Sequence, residues 1–160
     1  MLNIFKKKVK EVNVVAPVDG KSVVLDTVPD KVFASGMMGK GIAFDFSTTT
    51  IVSPCDGKIT MIPKTLHAFG ITAENGAELL VHIGLDTVNL KGEGFKKIVE
   101  EGSKVRAGEP IIEVDRDLIS SKGYNLITML LVTNSDSYDV DVKAPDKVKA
   151  GQSVVIVIDK

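Results

Sequence analysis

The chain has 160 residues, with 20 Lys and Arg against 21 Asp and Glu, and its formal net charge of -1 excludes a polyelectrolyte surface for nucleic acid. At 44% hydrophobic and 26% charged it has the make-up of one globular domain with a real core, and no apolar run reaches the roughly eighteen residues that a membrane span requires. Cys55 is the single cysteine, which rules out an intrachain disulfide or a cysteine cage for metal and assigns the thiol to the core; the expected compartment is the cytosol.

The chain divides into a basic, flexible arm over residues 1–13 and a single domain over 14–160. The opening MLNIFKKKVKEV mixes Leu2, Ile4, Phe5, Val9 and Val12 with four lysines, but it lacks the apolar core and cleavage site of a signal peptide. An amphipathic helix this short is marginal, so a solvated terminus with at most weak peripheral contact to an anionic membrane is expected. From Val14 onward, short Val and Ile runs punctuated by Pro, Asp and Gly read as strands.

Two kinds of punctuation recur. APVDGK at Ala16–Lys21 and SPCDGK at Ser53–Lys58 each precede an apolar strand, Ser22–Leu25 and Ile59–Ile62. KVRAG ending at Gly108 and KVKAG ending at Gly151 precede Pro110–Val114 and Ser153–Ile158. Each glycine releases the chain from a turn into a strand, and the spacing is too long for a hairpin. The pattern predicts an all-β fold in which a duplicated unit closes a sandwich or barrel, with the four turns at comparable corners.

Helical signals are sparse. Gly94–Glu101, GFKKIVEE, sets Phe95, Ile98 and Val99 on one side of about two turns, and a second short helix or turn is expected from Asp117–Ile119 into Ser120–Met129. Between Pro29 and Phe46 the glycines Gly36, Gly39 and Gly41 interrupt an apolar set that includes Val32, Phe33, Met37 and Met38. Adaptable methionines clustered in a glycine-rich loop fit an exposed docking surface, with core filling as the alternative.

Chemistry concentrates where both histidines fall. Leu79, Leu80 and Val81 run into His82, followed by Ile83 and Gly84, as in a buried strand that presents one imidazole at a place of close approach. His67 lies in a loop after Thr65 and before the strand Gly70–Thr72, and neighbouring antiparallel strands would bring the rings together with Thr65 orienting one of them. Two chemistries remain open. In one, His82 attacks phosphorus through one ring nitrogen while the other is held by a hydrogen bond, and His67 donates to the phosphoryl oxygens. In the other, both bind zinc, with Asp86 or Glu78 as third ligand, although neither an H-x-H nor an H-E-x-x-H spacing is present.

The stretch Gly76–Phe95, GAELLVHIGLDTVNLKGEGF, resembles the phosphorylation-site motif of the glucose-class enzyme IIA domains of the bacterial phosphoenolpyruvate-dependent sugar phosphotransferase system. The resemblance extends through APVDG, VPDKVFA, HAF at His67, EEGSKVRAG and the closing VKAGQSV. It implies a β-sandwich of duplicated topology that takes a phosphoryl group from the histidine phosphocarrier protein and passes it to a cysteine on the IIB domain of a sugar permease. It further implies that His82 is the phosphorylated residue and His67 its stabilising companion. Thr65 and Asp86 match flanking polar and acidic positions, and Val32, Phe33, Met37 and Met38 match an apolar docking rim. Leu66 departs from the Asn that some members carry before the companion histidine.

The resemblance implies no required cofactor. Some members bind regulatory targets, at times bridged by zinc through the two histidines, and a monomer is expected. The rival readings are a zinc-dependent hydrolase, a lipoyl- or biotinyl-like carrier whose modified lysine would stand at a tight hairpin, and a non-catalytic β-rich binding module indifferent to both histidines.

Overall fold

The computed structural model describes residues 9–160. The basic segment before Val9 therefore lies outside the described residues. The remainder of the expected arm does not stay free: β1 (Glu11–Val15) begins before residue 14, because Val12 seats in the core and pairs with Ile158.

The dominant element is an open eight-stranded sheet. Its strands are β2 (Gly20–Val23), β3 (Lys40–Phe46), β5 (Gly57–Met61), β6 (Ala68–Ala73), β7 (Glu78–Ile83), β9 (Lys104–Val105), β11 (Thr128–Val132) and β13 (Lys147–Val148). They run in the order β13-β2-β3-β11-β7-β6-β5-β9, with every neighbouring pair antiparallel. Two three-stranded sheets complete the fold: β1 with β14 (Val154–Asp159) and β12 (Asp139–Val142), and β4 (Thr50–Val52) with β10 (Pro110–Val114) and β8 (Phe95–Lys97). The all-β sandwich is as expected, while the main sheet stays open, ending at two-residue strands instead of closing into a barrel.

The duplication is visible bond by bond. Ala150 N donates to Asp19 Oδ1 at 2.7 Å, and Ala107 N donates to Asp56 Oδ1 at 2.8 Å. Gly151 N donates to Ala16 O and Gly108 N to Ser53 O, both at 2.9 Å, so each VxAG turn is tied to the partner PxDG corner. Val15 N donates to Pro54 O while Val52 N donates to Pro17 O, which makes the exchange between the halves reciprocal. The two halves meet at the turn glycines, where a Cβ on Gly151 (φ +73°) would lie 2.9 Å from Gly108 Cα.

Alternation along the strands separates two apolar layers. On β7, Leu79, Val81 and Ile83 enter the main core with Ile42, Phe44, Phe69, Ile71, Leu130 and Val132. The opposite face carries a smaller cluster of Ala43, Ala68, Leu80, Met129 and Leu131, roofed by Leu25, Val28 and Phe33 from the connection between β2 and β3. His82 belongs to this second face.

Two helix expectations come out differently. Gly94–Glu101 is not helical: Phe95 is drawn into the main core as part of β8, pairing with Val114, while Ile98 stays substantially exposed. Gly94, at φ +88°, packs its Cα side against Ile119 and turns the chain into that strand. The second helix is real but ends early, as α2 (Arg116–Ser121) capped by Asp115, whose carboxylate accepts from Leu118 N at 3.1 Å. Residues from Thr128 on are then claimed by β11, the strand between β3 and β7. The one-turn helix α1 (Lys31–Ala34) lies within the glycine-rich segment.

Candidate functional site

His82 stands near the end of β7, directly opposite Ala68 on β6 and Met129 on β11. His67 immediately precedes β6, and its carbonyl accepts from Ile83 N at 2.7 Å, which extends the ladder and fixes the two histidine backbones side by side. The imidazoles meet edge to face, 5.0 Å between centroids at 84°. Antiparallel pairing of β6 with β7 thus supplies the juxtaposition that the spacing of the two histidines predicts.

Each ring is locked at Nδ1. His82 Nδ1 lies 2.9 Å from the carbonyl of Gly84, and since a carbonyl only accepts, Nδ1 carries the proton and Nε2 of the neutral ring keeps its lone pair. His67 Nδ1 lies 2.7 Å from Thr65 Oγ1, which orients the second ring and leaves its Nε2 free. The bend that returns the Gly84 carbonyl to its own histidine requires glycine. Its φ is +79°, and a Cβ there would sit 2.6 Å from Thr87 Cγ2 and 3.0 Å from Asn125 O.

The roof over His82 comes from α1. Four residues make too short a helix to persist on propensity alone. Its start is secured by Asp30, whose carboxylate accepts from Val32 N at 3.0 Å, and its fit by burial of Phe33. The Phe33 ring lies 4.7 Å from that of His82, tilted by 53°. Phe33 is therefore a buried roof, whereas Val32, Met37 and Met38 form the exposed apolar rim, with Met37 80% exposed.

Burial of His82 pushes its pKa down from the ordinary 6.5 to about 4, and the neighbouring His67 adds to that. The Gly84 carbonyl and the carboxylates of Asp30 and Asp86 pull the other way without prevailing. The net shift disfavours the imidazolium by about 3 kcal/mol. Burial lowers the pKa of His67 as well. Both rings are neutral near pH 7, the state in which a histidine nitrogen has a lone pair to offer.

Asp86 begins the 3-10 turn Thr87–Leu90 in a left-handed conformation (φ 59°), and its carboxylate makes no capping bond there. Sequence reasoning does not single out Asp30, although a D-K-V-F string is a recognisable helix start. The Gly84 carbonyl and the buried Met129 beside His82 carry no side-chain signature of their role at all. Glu78 stands at the far end of β7, opposite Thr72, and cannot join the histidines. Among the described residues no group of three or more His, Cys, Asp or Glu side chains is arranged to hold a metal ion, so the three-ligand zinc alternative lacks its third ligand. A cleft of about 810 Å³ lined by Asp56, Lys58, Lys104 and Arg106 lies at the β9 edge, away from both rings.

Comparison with known proteins decides among the readings. Residues 12–138 match the family model described as phosphoenolpyruvate-dependent sugar phosphotransferase system, EIIA 1. The chain belongs to this EIIA family. It is 39% identical over 160 residues to the PTS system glucose-specific EIIA component of Oceanobacillus iheyensis, covering 98% of this chain and 97% of that one. The glucose permease IIA of Mycoplasma capricolum superposes with a TM-score of 0.86 at 36% identity, covering 96% of this chain and 97% of that structure. The N-acetylglucosamine-specific EIICBA component of Klebsiella pneumoniae is 44% identical over 142 residues, but these are 88% of this chain and only 22% of that protein. The chain thus spans about a fifth of such multi-domain relatives, in which EIIA is joined to B and C components. As an EIIA member it is a phosphotransferase component, a phosphoryl carrier of the sugar phosphotransferase system. No helix of the described residues is long and apolar enough to cross a membrane.

Proposed function

We propose that His82 is the phosphoryl-carrying residue, that it receives its phosphoryl group from the histidine phosphocarrier protein, and that it passes it to the IIB domain of a glucose-class permease. The observation that carries this reading is the Nδ1 bond of His82 to the Gly84 carbonyl, which fixes the tautomer with a lone pair on Nε2. In the uptake step Nε2 attacks phosphorus, the P–N bond to the carrier breaks, and the carrier's ring nitrogen keeps the electron pair. In the delivery step an acceptor thiolate on the IIB domain displaces Nε2 in the same manner. With Thr65 donating to its Nδ1, His67 presents an Nε2–H to the phosphoryl oxygens. Existing relatives in which EIIA is joined to B and C components support the IIB partner.

The exposed Val32, Met37 and Met38 beside the site suit docking of two partners in turn, over small interfaces of roughly 1,200 Å² or less. Phosphorylation places negative charge among Asp30, Asp86 and an apolar roof, so a carrier that fits before transfer is released after it. Zinc at a regulatory interface is compatible with the donor set to this extent: the two Nε2 atoms supply two ligands of a tetrahedral ion, His67 in the tautomer whose Nδ1–H donates to Thr65 Oγ1, and a bound target must supply the rest.

The deciding experiment is the intact mass after incubation with phosphoenolpyruvate, enzyme I and the histidine phosphocarrier, with and without His82→Ala. One acid-labile, base-stable phosphoryl group that vanishes in the variant is the expected result. No gain in the wild type, under conditions that phosphorylate a known acceptor, overturns the reading. His67→Gln is expected to permit uptake and impair delivery, and equal loss of both steps would contradict the assigned roles.

A further inference from the structure

Leu66 sits between Thr65 and His67 with a φ of 57°, in the left-handed region. The non-glycine residues at positive φ among those described are Leu66, Asp86, Lys91 and Ala144, and the first two flank the histidines. Asp visits this region readily because its short polar side chain bonds locally; leucine has no such compensation. A strained leucine beside a functional ring therefore needs a structural reason.

Two contacts hold it there. Behind it, Leu66 N donates to Pro63 O at 2.9 Å and closes a turn over Pro63–Leu66. The leucine side chain, partly buried, packs against the main core, on the side of the sheet away from the histidine cluster. With a φ of 57° at Leu66 the chain between Thr65 and His67 is not extended strand. At that bend Thr65 Oγ1 meets His67 Nδ1 at 2.7 Å. Immediately afterwards the chain enters β6 and His67 O accepts from Ile83 N.

We propose that Leu66 is a positioning residue: its left-handed backbone, which a leucine keeps only through its side-chain contact with the main core, sets the Thr65–His67 hydrogen bond and so fixes which nitrogen of His67 faces the phosphoryl group. The consequence for transfer rests on the reading of His67 given above; the orientation of the ring does not.

Three substitutions separate backbone from packing. Leu66→Ile keeps an apolar side chain of the same size but is β-branched and resists positive φ. Leu66→Asn and Leu66→Gly give up the apolar contact but adopt positive φ easily. The readout is the pair of ring ¹⁵N shifts of His67 in the full chain, with the backbone amide spectrum of β3, β7 and β11 as the check on folding. Wild type, Leu66→Asn and Leu66→Gly are expected to show one His67 tautomer, protonated at Nε2, and Leu66→Ile a mixture. The reverse pattern, with the isoleucine variant unchanged and the other two mixed, overturns the proposal in favour of simple packing. So does the same spectrum in all four proteins, or loss of the single tautomer in all three variants. Should Leu66→Ile fail to fold, loss in the Asn and Gly variants still overturns it. Phosphoryl delivery is expected to fall about tenfold or more in Leu66→Ile and to stay within about twofold in Leu66→Asn. Unimpaired delivery by His67→Gln would sink the role of His67 while leaving the tautomer result to judge Leu66.

Discussion

The ring of Phe33 lies 4.7 Å from the ring of His82, although Phe33 belongs to the glycine-rich connection that leads into β3 and His82 stands near the end of β7. Desolvation is the largest influence on His82, and Phe33 is the aromatic side chain set against it. Replacing Phe33 with Ala admits water to the ring while leaving the Gly84 bond in place. The pKa of His82 is expected to rise from about 4 toward 6.5, by roughly one unit or more. A proton NMR titration of the His82 ring measures it, and an unchanged midpoint would remove Phe33 from the account of that shift.

The same depression has a consequence for stability. Both histidines titrate lower in the folded chain than when unfolded, so between the two values the unfolded chain binds more protons. The contribution is absent above about pH 6.5 and destabilising as pH falls from there to about 4, reaching about 3 kcal/mol for His82. Urea melts of wild type and His82→Gln are expected to diverge across that window, the variant losing less stability on acidification. Parallel pH profiles would show that His82 is not buried as a neutral ring.

Gly84 joins the fold to the chemistry at one atom. Alanine there must adopt a φ of +79° and place its Cβ 3.0 Å from the Asn125 carbonyl, a backbone atom that also accepts from Leu85 N. The loop is expected to shift, costing about 1–3 kcal/mol and loosening the Nδ1 bond of His82. The ring ¹⁵N spectrum of Gly84→Ala should then show a mixed His82 tautomer, with slower phosphoryl uptake. A single tautomer at wild-type shifts would mean that the carbonyl is not what selects it.

Much of this arrangement is legible in the residues, and the limits have physical causes. The PxDG and VxAG strings announce the duplicated corners because turn chemistry is local. The histidine pair is readable because antiparallel neighbours close in sequence tend to be neighbours in space. The segment from Gly94 misleads: with Phe95, Ile98 and Val99 spaced for a short helix, only the pairing of Phe95 with Val114 shows that a strand wins. Phe33 and Met37 look alike in the sequence, both apolar in a glycine-rich run. The cap at Asp30 turns the first inward over His82 and leaves the second in solvent. The Gly84 carbonyl is invisible to any reading of side chains.

The duplicated corners allow a test in which one half of the molecule serves as control for the other. Asp19 and Asp56 each accept a backbone N–H from the opposite VxAG turn, at 2.7 and 2.8 Å, but Asp19 is partly buried and Asp56 is exposed. Truncation to Ala leaves the N–H of Ala150 or Ala107 without its partner. Water replaces that partner more easily at the exposed corner. Asp19→Ala is therefore expected to cost about 1–2 kcal/mol and Asp56→Ala about 0.5–1 kcal/mol in urea unfolding. The two turns touch through Gly108 and Gly151, so loosening one already relaxes the other. The double variant should fall short of the sum by about 0.5 kcal/mol or more. Strict additivity would mean that the two corners hold their own halves independently and that the glycine contact between them transmits nothing.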